Sequence, residues 1–250
     1  MRSALKLIML KTAIIVQARL GSTRLPGKVL KPLGNGTVLS EVLRRCAAVP
    51  GVDVVVCAIP ENAEDDPLVP AVESAGATVV RGSSDDVLGR YARAADTVGA
   101  DIVMRVTSDC PLIDPGLCGA LLAVRAAAGT DYAANNLTVS FPHGLDCEAF
   151  TADALHRAAK SATAAYDREH VTPWLRRDPS ISRASVSVNE EGLLDRRWTL
   201  DFEEDYSFFT ALFAQLPKAP AIPDWREVLN CLDAHPEIAR INAARHVSRN

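Results

Sequence analysis

Thr12-Ala-Ile-Ile-Val-Gln-Ala-Arg-Leu-Gly-Ser-Thr-Arg-Leu-Pro-Gly-Lys28 is an apolar run that breaks into a loop of glycines and cations. Residues 12–18 predict a fully buried strand, as in a parallel sheet covered on both faces. The loop that follows holds Arg19, Arg24 and Lys28, two glycines, Gly21 and Gly27, and no acid. In open α/β sheets, ligands bind beyond the carboxyl ends of strands. Glycines allow tight turns there, backbone N–H groups cradle phosphate oxygens, and the cations add charge. That combination suits a triphosphate better than a surface turn with solvated side chains. The order G-x-x-x-x-G-K-[ST] of a P-loop is missing, as is G-x-G-x-x-G, which argues against a kinase, an ATPase or a dehydrogenase.

The rest of the chain agrees with this start. Strands are predicted at 52–59, 77–81 and 101–106, and helices at 38–47 (opened by Thr37 or Ser40), 67–74, 85–98 and 115–128. Such alternation predicts a mostly parallel sheet with helices on both faces. Beyond residue 130 the pattern changes. Extended segments are expected at 131–136, 144–150, 181–188 and 197–200, and helices at 152–164, 166–176 (interrupted by Pro173) and 203–215. Residues 217–223 read as a connector and the tail from Trp225 as helical. The expectation is one domain over 1–250. It would carry an N-terminal extension (1–11), an acceptor-side subregion (130–200) and a helical tail (217–250). Met9 is a possible alternative start.

Composition narrows the function. The 250 residues are 48 % hydrophobic and carry a net charge of −4, which supports a sizeable core and argues against wholesale nucleic-acid binding. No apolar run is long enough for a membrane span. The first 40 residues hold seven Lys or Arg and no Asp or Glu, which marks a region suited to an anion. Cys46, Cys57, Cys110, Cys118, Cys147 and Cys231 form no C-x-x-C pair and several lie among apolar neighbours. They read as reduced thiols of a cytoplasmic protein.

Two acids stand where a metal would be needed. Asp109 closes a predicted strand in Arg105-Val-Thr-Ser-Asp-Cys-Pro111, and Asp201 follows another in Thr199-Leu-Asp-Phe-Glu-Glu-Asp205. Mg²⁺ commonly takes one or two carboxylates plus phosphate oxygens and water. Either Asp alone could be a cap or turn residue. Arg81 and Thr107, at strand ends, are added as nucleotide contacts. Pro142–Glu148 and Asp167–His170 are dense in polar groups. His143, Asp146, Glu148, Glu169 and His170, with Arg105, are candidates for the acceptor. Asp146 and Glu148 would share a face of an extended segment and could also hold a second metal. His156, His235 and His246 are read as surface residues.

The stretch Ile14–Leu30 resembles the opening motif of the cytidylyltransferases that activate acidic sugars, the acylneuraminate and Kdo type, and the SpsF-like proteins of spore-coat polysaccharide synthesis in particular. Segments 105–115, 141–150, 168–173 and 199–206 match in order. The resemblance implies a Rossmann-like fold shared with GT-A glycosyltransferases, CTP as co-substrate, and a homodimer. It implies that Arg19, Ser22, Arg24 and Lys28 contact the nucleotide, with Gln17 and Ala18 near the base, and that Asp109 and Asp201 hold Mg²⁺. Kdo synthetases usually have Gln where Thr107 stands and Glu where Cys110 stands, which argues against Kdo itself. Some relatives use phosphonate acceptors or GTP. A nucleotide-sugar glycosyltransferase is disfavoured, because Ser108-Asp109-Cys110 offers one acid where a D-x-D needs two. A non-catalytic nucleotide-binding module is disfavoured by the presence of both acids beside the full basic loop.

Overall fold

In the computed structural model, residues 10–245 are described; the N-terminal extension up to residue 9, and His246, lie outside them. The elements are, in order, β1 (Thr12–Gln17), a two-stranded hairpin of β2 (Pro32–Leu33) and β3 (Gly36–Thr37), α1 (Val38–Ala47), β4 (Val54–Pro60), α2 (Leu68–Ser74), β5 (Thr78–Gly82), α3 (Val87–Val98), β6 (Ile102–Thr107) and α4 (Pro115–Ala128). There follow β7 (Tyr132–Ala134), β8 (Glu148–Thr151), α5 (Ala152–Ser161), α6 (Ala165–His170), α7 (Pro173–Arg177), β9 (Arg183–Ser185), α8 (Glu203–Gln215), α9 (Trp225–Ala234) and α10 (Pro236–Ala239).

The main sheet runs β5-β4-β1-β6-β8-β7-β9. Strands β5, β4, β1 and β6 are parallel, and β8 is antiparallel to both β6 and β7. Alternation along β1 splits the core into two layers. Ile14 and Val16 face a layer shared with α1, α2, α4, α8 and α9, whereas Ala13 and Ile15 face one shared with α3, α5 and α7. Because β1 has β4 on one side and β6 on the other, the chain order reverses between β1 and β6. That crevice is the topological switch point at which α/β sheets bind ligands. The expected α/β architecture, with a mostly parallel sheet between helical layers, is therefore the one observed.

Local chemistry sets the helix ends. Thr37 and Ser40 exchange hydrogen bonds at the start of α1: the Thr37 N–H donates to Ser40 Oγ (2.7 Å) and the Ser40 N–H to Thr37 Oγ1 (3.2 Å). Asp86 accepts from the Gly89 N–H (2.8 Å) at α3, and Asp114 from the Leu117 N–H (2.7 Å) ahead of Pro115 at α4.

The second half departs from the expected strands. The extended segments at 131–136, 144–150 and 181–188 contract to the short strands β7, β8 and β9. The helix expected at 166–176 divides into α6 and α7 where Pro173 lacks an N–H, and buried Val171 between them takes φ 71°. Residues 197–200 form no strand, because their backbone is shared between two loops. The Trp198 N–H donates to His143 O (2.6 Å) and the Leu200 N–H to Asp109 O (2.8 Å). Asp201 is thus fixed by lacing to the β6 loop rather than by a sheet ladder.

Gly144 makes that lacing possible. Its φ is +113°, and a Cβ there would lie 2.0 Å from Trp198 O. Gly144→Ala is expected to cost more than ~3 kcal/mol in urea denaturation, because the clash is with backbone. Wild-type stability in that variant would refute this packing.

Candidate active site

A cleft of about 290 Å³ opens over the carboxyl ends of β1 and β6. It is lined by Gln17, Ala18, Arg19, Ser22, Arg24 and Lys28 from the first loop, Asp109 and Asp201 from two others, and Glu169 and His170 from α6. The sequence singled out these ten; Thr23, Val29, Val87, Arg90 and Ser108 complete the lining. Gly21 belongs to the same loop without lining the cleft.

The loop is held by groups that sequence reading missed. The Leu20 N–H donates to Asp65 Oδ1 (2.7 Å), and Asp65 is buried. The Gly27 N–H reaches back to Leu20 O (3.2 Å), and Gly27 turns in the left-handed region at φ +64°. That turn starts the 3-10 turn Lys28–Leu30 and sends the Lys28 side chain inward.

Lys28 joins the two acids. Its ammonium donates to Asp109 Oδ2 (3.1 Å), Asp201 Oδ1 (3.0 Å) and Leu200 O (2.7 Å). Burial would lower the Lys28 pKa, but the two carboxylates outweigh it and hold it above the ordinary value. Burial would likewise raise Asp109, but Lys28 and a hydrogen bond from Thr107 hold it below the usual carboxylate range. Thr107 therefore orients Asp109, through Oγ1 donating to Oδ1 at 2.6 Å, instead of lining the cleft.

Asp201 is steered from the other side. Arg197 Nη2 lies 3.2 Å from Asp201 Oδ2, and Arg24 Nη1 3.6 Å from the same atom. Arg197 in turn grips buried Asp205 through Nε and Nη2, each at 2.9 Å. Asp205 Oδ2 also accepts the N–H groups of Asp201 (2.9 Å) and Phe202 (3.0 Å). Arg197 lay outside the matched segments, and Asp205, inside the 199–206 segment, was given no role, since each reads as an ordinary charge until the fold brings them together.

Two buried polar atoms lining the cleft have no protein partner: Gln17 Oε1 and Arg90 Nε. Arg90 lines the cleft, and its Nη1 donates to Ser83 O (2.6 Å). Arg81 is not in the cleft; it pairs with Asp66 (2.5 Å) and reaches Pro60 O.

The other acceptor candidates form a separate cluster outside the cleft lining. Arg105 Nη1 donates to Glu148 Oε2 (2.7 Å), while Arg176 and Tyr132 hold Glu148 Oε1. Asp146 accepts from Asn136 Nδ2 (2.9 Å) and the Gly144 N–H, and Asn136 in turn bonds Arg176 through its carbonyl. His143 contributes backbone bonds to Arg196 and Trp198. A larger cavity of about 740 Å³ lies between the β2–β3 hairpin, α1 and α8. Arg44 and Arg45 in it are already bound to Glu41 and to backbone carbonyls.

Among the described residues no three His, Cys, Asp or Glu side chains converge as a metal cage. The two carboxylates fit a metal in a different way. With Leu200 O they form an all-oxygen set around one cation, the Lys28 ammonium, at 2.7–3.1 Å. Such a donor set suits a hard divalent ion that also draws ligands from phosphate and water.

A parallel sheet with a cationic glycine loop and two carboxylates at its switch point defines a nucleotidyltransferase. The family model for cytidylyltransferases matches residues 13–219, and the chain belongs to that family. It is 31 % identical to the spore coat polysaccharide biosynthesis protein SpsF of Bacillus subtilis, over 90 % of this chain and 95 % of that one. It is 40 % identical to a 3-deoxy-manno-octulosonate cytidylyltransferase of Maricaulis maris over 42 % of this chain and 40 % of that one. A cytidylyltransferase structure from Leptospira borgpetersenii superposes with a TM-score of 0.87 at 28 % identity, covering 92 % of this chain and 97 % of that one.

Glu148 gives the site a pH signature. Burial would raise its carboxyl, but Arg105 and Arg176 hold it down, from 4.5 to about 2. A depressed carboxyl contributes stability above its unfolded value and loses it as pH falls through its folded one. The stability gap between wild type and Glu148→Gln should therefore shrink by about 3 kcal/mol from pH 7 to pH 2. The change should fall between pH 4.5 and 2, followed by urea denaturation at several pH values. A gap independent of pH would rule out an ionised Glu148.

Proposed function

We propose that this cytidylyltransferase transfers CMP from CTP to a small acidic sugar of the ulosonic class, in surface polysaccharide synthesis. The observation that carries the reading is the convergence of Asp109, Asp201 and Leu200 O on the Lys28 ammonium, directly below the phosphate-suited loop. An acceptor oxygen attacks the α-phosphorus, the bond to the β-phosphate oxygen breaks, and pyrophosphate leaves. The acceptor proton passes to solvent.

Each residue has an assigned task. Gly21, Ser22 and the loop amides cradle the phosphates, and Arg19, Arg24 and Lys28 offset the charge on the departing pyrophosphate. Gln17 Oε1 can accept from the exocyclic amine of the base, and Ala18 leaves room beside it. Arg90 adds a guanidinium in the cleft. Asp109 and Asp201 would hold Mg²⁺, which supplies Lewis-acid polarisation of the α-phosphate when bound. Glu169 and His170 face the acceptor from α6. Arg105 and Arg176 against the single carboxylate of Glu148 leave an excess positive charge that would favour an acidic acceptor, with His143 and Asp146 assigned to the same end. The opposite charges that hold these groups in place also fix their geometry before substrate arrives.

The buried cysteines support a reducing, cytoplasmic setting. Among the described residues no helix is long and apolar enough to cross a membrane. The homodimer of the reading is checked by light scattering.

The decisive experiment incubates the protein with each of four nucleoside triphosphates and a panel of ulosonic acids and phosphonates, reading pyrophosphate release. Release with CTP and an ulosonic acid is the expected result. Release only with a phosphonate would move the acceptor, and release only with GTP would move the base. Free nucleoside diphosphate from a nucleotide sugar would indicate a glycosyltransferase. Asp201→Ala should lower turnover at least ~10³-fold with an unaltered circular dichroism spectrum; full activity would remove the metal assignment.

A further inference from the structure

The C-terminal tail lies beyond residues 13–219, which the family model matches, yet it reaches the metal-side acid through buried contacts. Asn242 follows α10 and is 3 % exposed. Its Nδ2 donates to Asp205 Oδ1 (2.9 Å) and to Arg197 O (3.0 Å). These two residues are the ones that set Asp201. Asp205 accepts the Asp201 N–H, and Arg197 holds Asp201 Oδ2. The tail also covers the next residue, since the Arg245 guanidinium sits 4.3 Å from the Phe202 ring centre and pairs with Glu204 (2.8 Å).

We propose that Asn242 is a positioning residue for the divalent metal: through Asp205 and Arg197 it fixes the orientation of the Asp201 carboxylate, so the tail is a working part of the active site. The inference rests on the reading of Asp109 and Asp201 as metal ligands.

The physical case is one of unequal alternatives. Asp205 is fully buried and accepts five hydrogen bonds, two from Arg197, two from backbone and one from Asn242. Asn242 supplies the one bond to this carboxylate that comes from outside residues 197–205. Without it, Asp205 keeps only bonds from residues 197–202, all on its own turn, and nothing outside that turn fixes the carboxylate and the Arg197 fork that meets Asp201 Oδ2. An amide also binds both a carboxylate and a carbonyl by donation, which no apolar side chain can do. Partners that orient metal ligands in this way typically change metal affinity ten- to a hundredfold when removed.

The test is Mn²⁺ binding to the full chain with CTP and no acceptor, read by electron paramagnetic resonance, beside thermal melts. Asn242→Asp keeps the shape, loses the donor and sets a like charge against Asp205; it is expected to weaken Mn²⁺ binding about tenfold. Asn242→Ala should weaken it to a similar degree, and Asn242→Gln, which keeps the amide, should recover part of the loss. In assays with acceptor, the kcat of Asn242→Ala should fall while the KM for CTP stays near wild type. Ile238→Ala is the control, because Ile238 is an apolar core residue of α10, just before Asn242, and can make no hydrogen bond to these polar groups through its side chain. It should lower the melting temperature and leave Mn²⁺ affinity unchanged. Unchanged affinity in both Asn242→Ala and Asn242→Asp would overturn the proposal, as would equal loss in Ile238→Ala. Wild-type protein that binds no Mn²⁺ would instead overturn the metal reading on which it stands.

Discussion

The buried pair of Asp205 and Arg197 is the constraint on which the cleft depends. A carboxylate and a guanidinium removed from water lose hydration that their attraction only partly restores. The pair is therefore poor evidence of stability, and its value lies in geometry. Asp205 caps two backbone N–H groups at the turn before α8 and turns Arg197 toward Asp201. One desolvated carboxylate thereby joins the segment 197–202, the start of α8 and the tail. Replacing it with an apolar side chain would leave two N–H groups and a guanidinium without their partners.

Electrostatic balance in the cleft follows from that geometry. Asp109 and Asp201 approach one cation from different loops, and two like charges so placed would repel. Lys28 supplies the compensating charge, and Arg24 and Arg197 add to it on the far oxygen of Asp201. The depressed Asp109 and the elevated Lys28 are two views of one interaction, in which each group stabilises the charged form of the other. The site is thus charged and ordered in advance, which is the condition under which fixed dipoles and ions act most strongly on a developing negative charge.

The loop that lines the cleft was legible in sequence because it is contiguous. Gln17 to Lys28 is one piece of chain, and its glycines and cations mean the same thing before and after folding. The first four strands of the parallel sheet were legible for a similar reason: each is a local apolar run. The second half was not. Residues 197–200 read as a strand by composition, yet their hydrogen bonds go to His143 and Asp109, partners distant in sequence. Arg81 and Arg90 are both cations close to β5. Only the packing of α3 against the sheet decides that Arg90 enters the cleft while Arg81 turns to Asp66. Asp205, Arg197 and Asn242 share no motif, because what joins them is a buried contact made from residues 197, 205 and 242.

The same asymmetry bears on specificity. Triphosphates are chemically alike, so one compact loop can serve many enzymes. Acidic acceptors differ in size and hydroxyl pattern, and discriminating among them requires polar groups placed from several directions. On the proposed reading those groups would come from β6, β8, α6 and α7, and from loops such as the one at Gly144. The Arg105–Glu148–Arg176 network shows how such an arrangement is kept in place. Two guanidiniums from elements distant in sequence share one buried carboxylate, so neither can move without leaving Glu148 short of a partner. If that network meets the acceptor as proposed, single substitutions around it would change acceptor preference while the loop at Arg19–Lys28 and the Asp205-centred turn remain as they are.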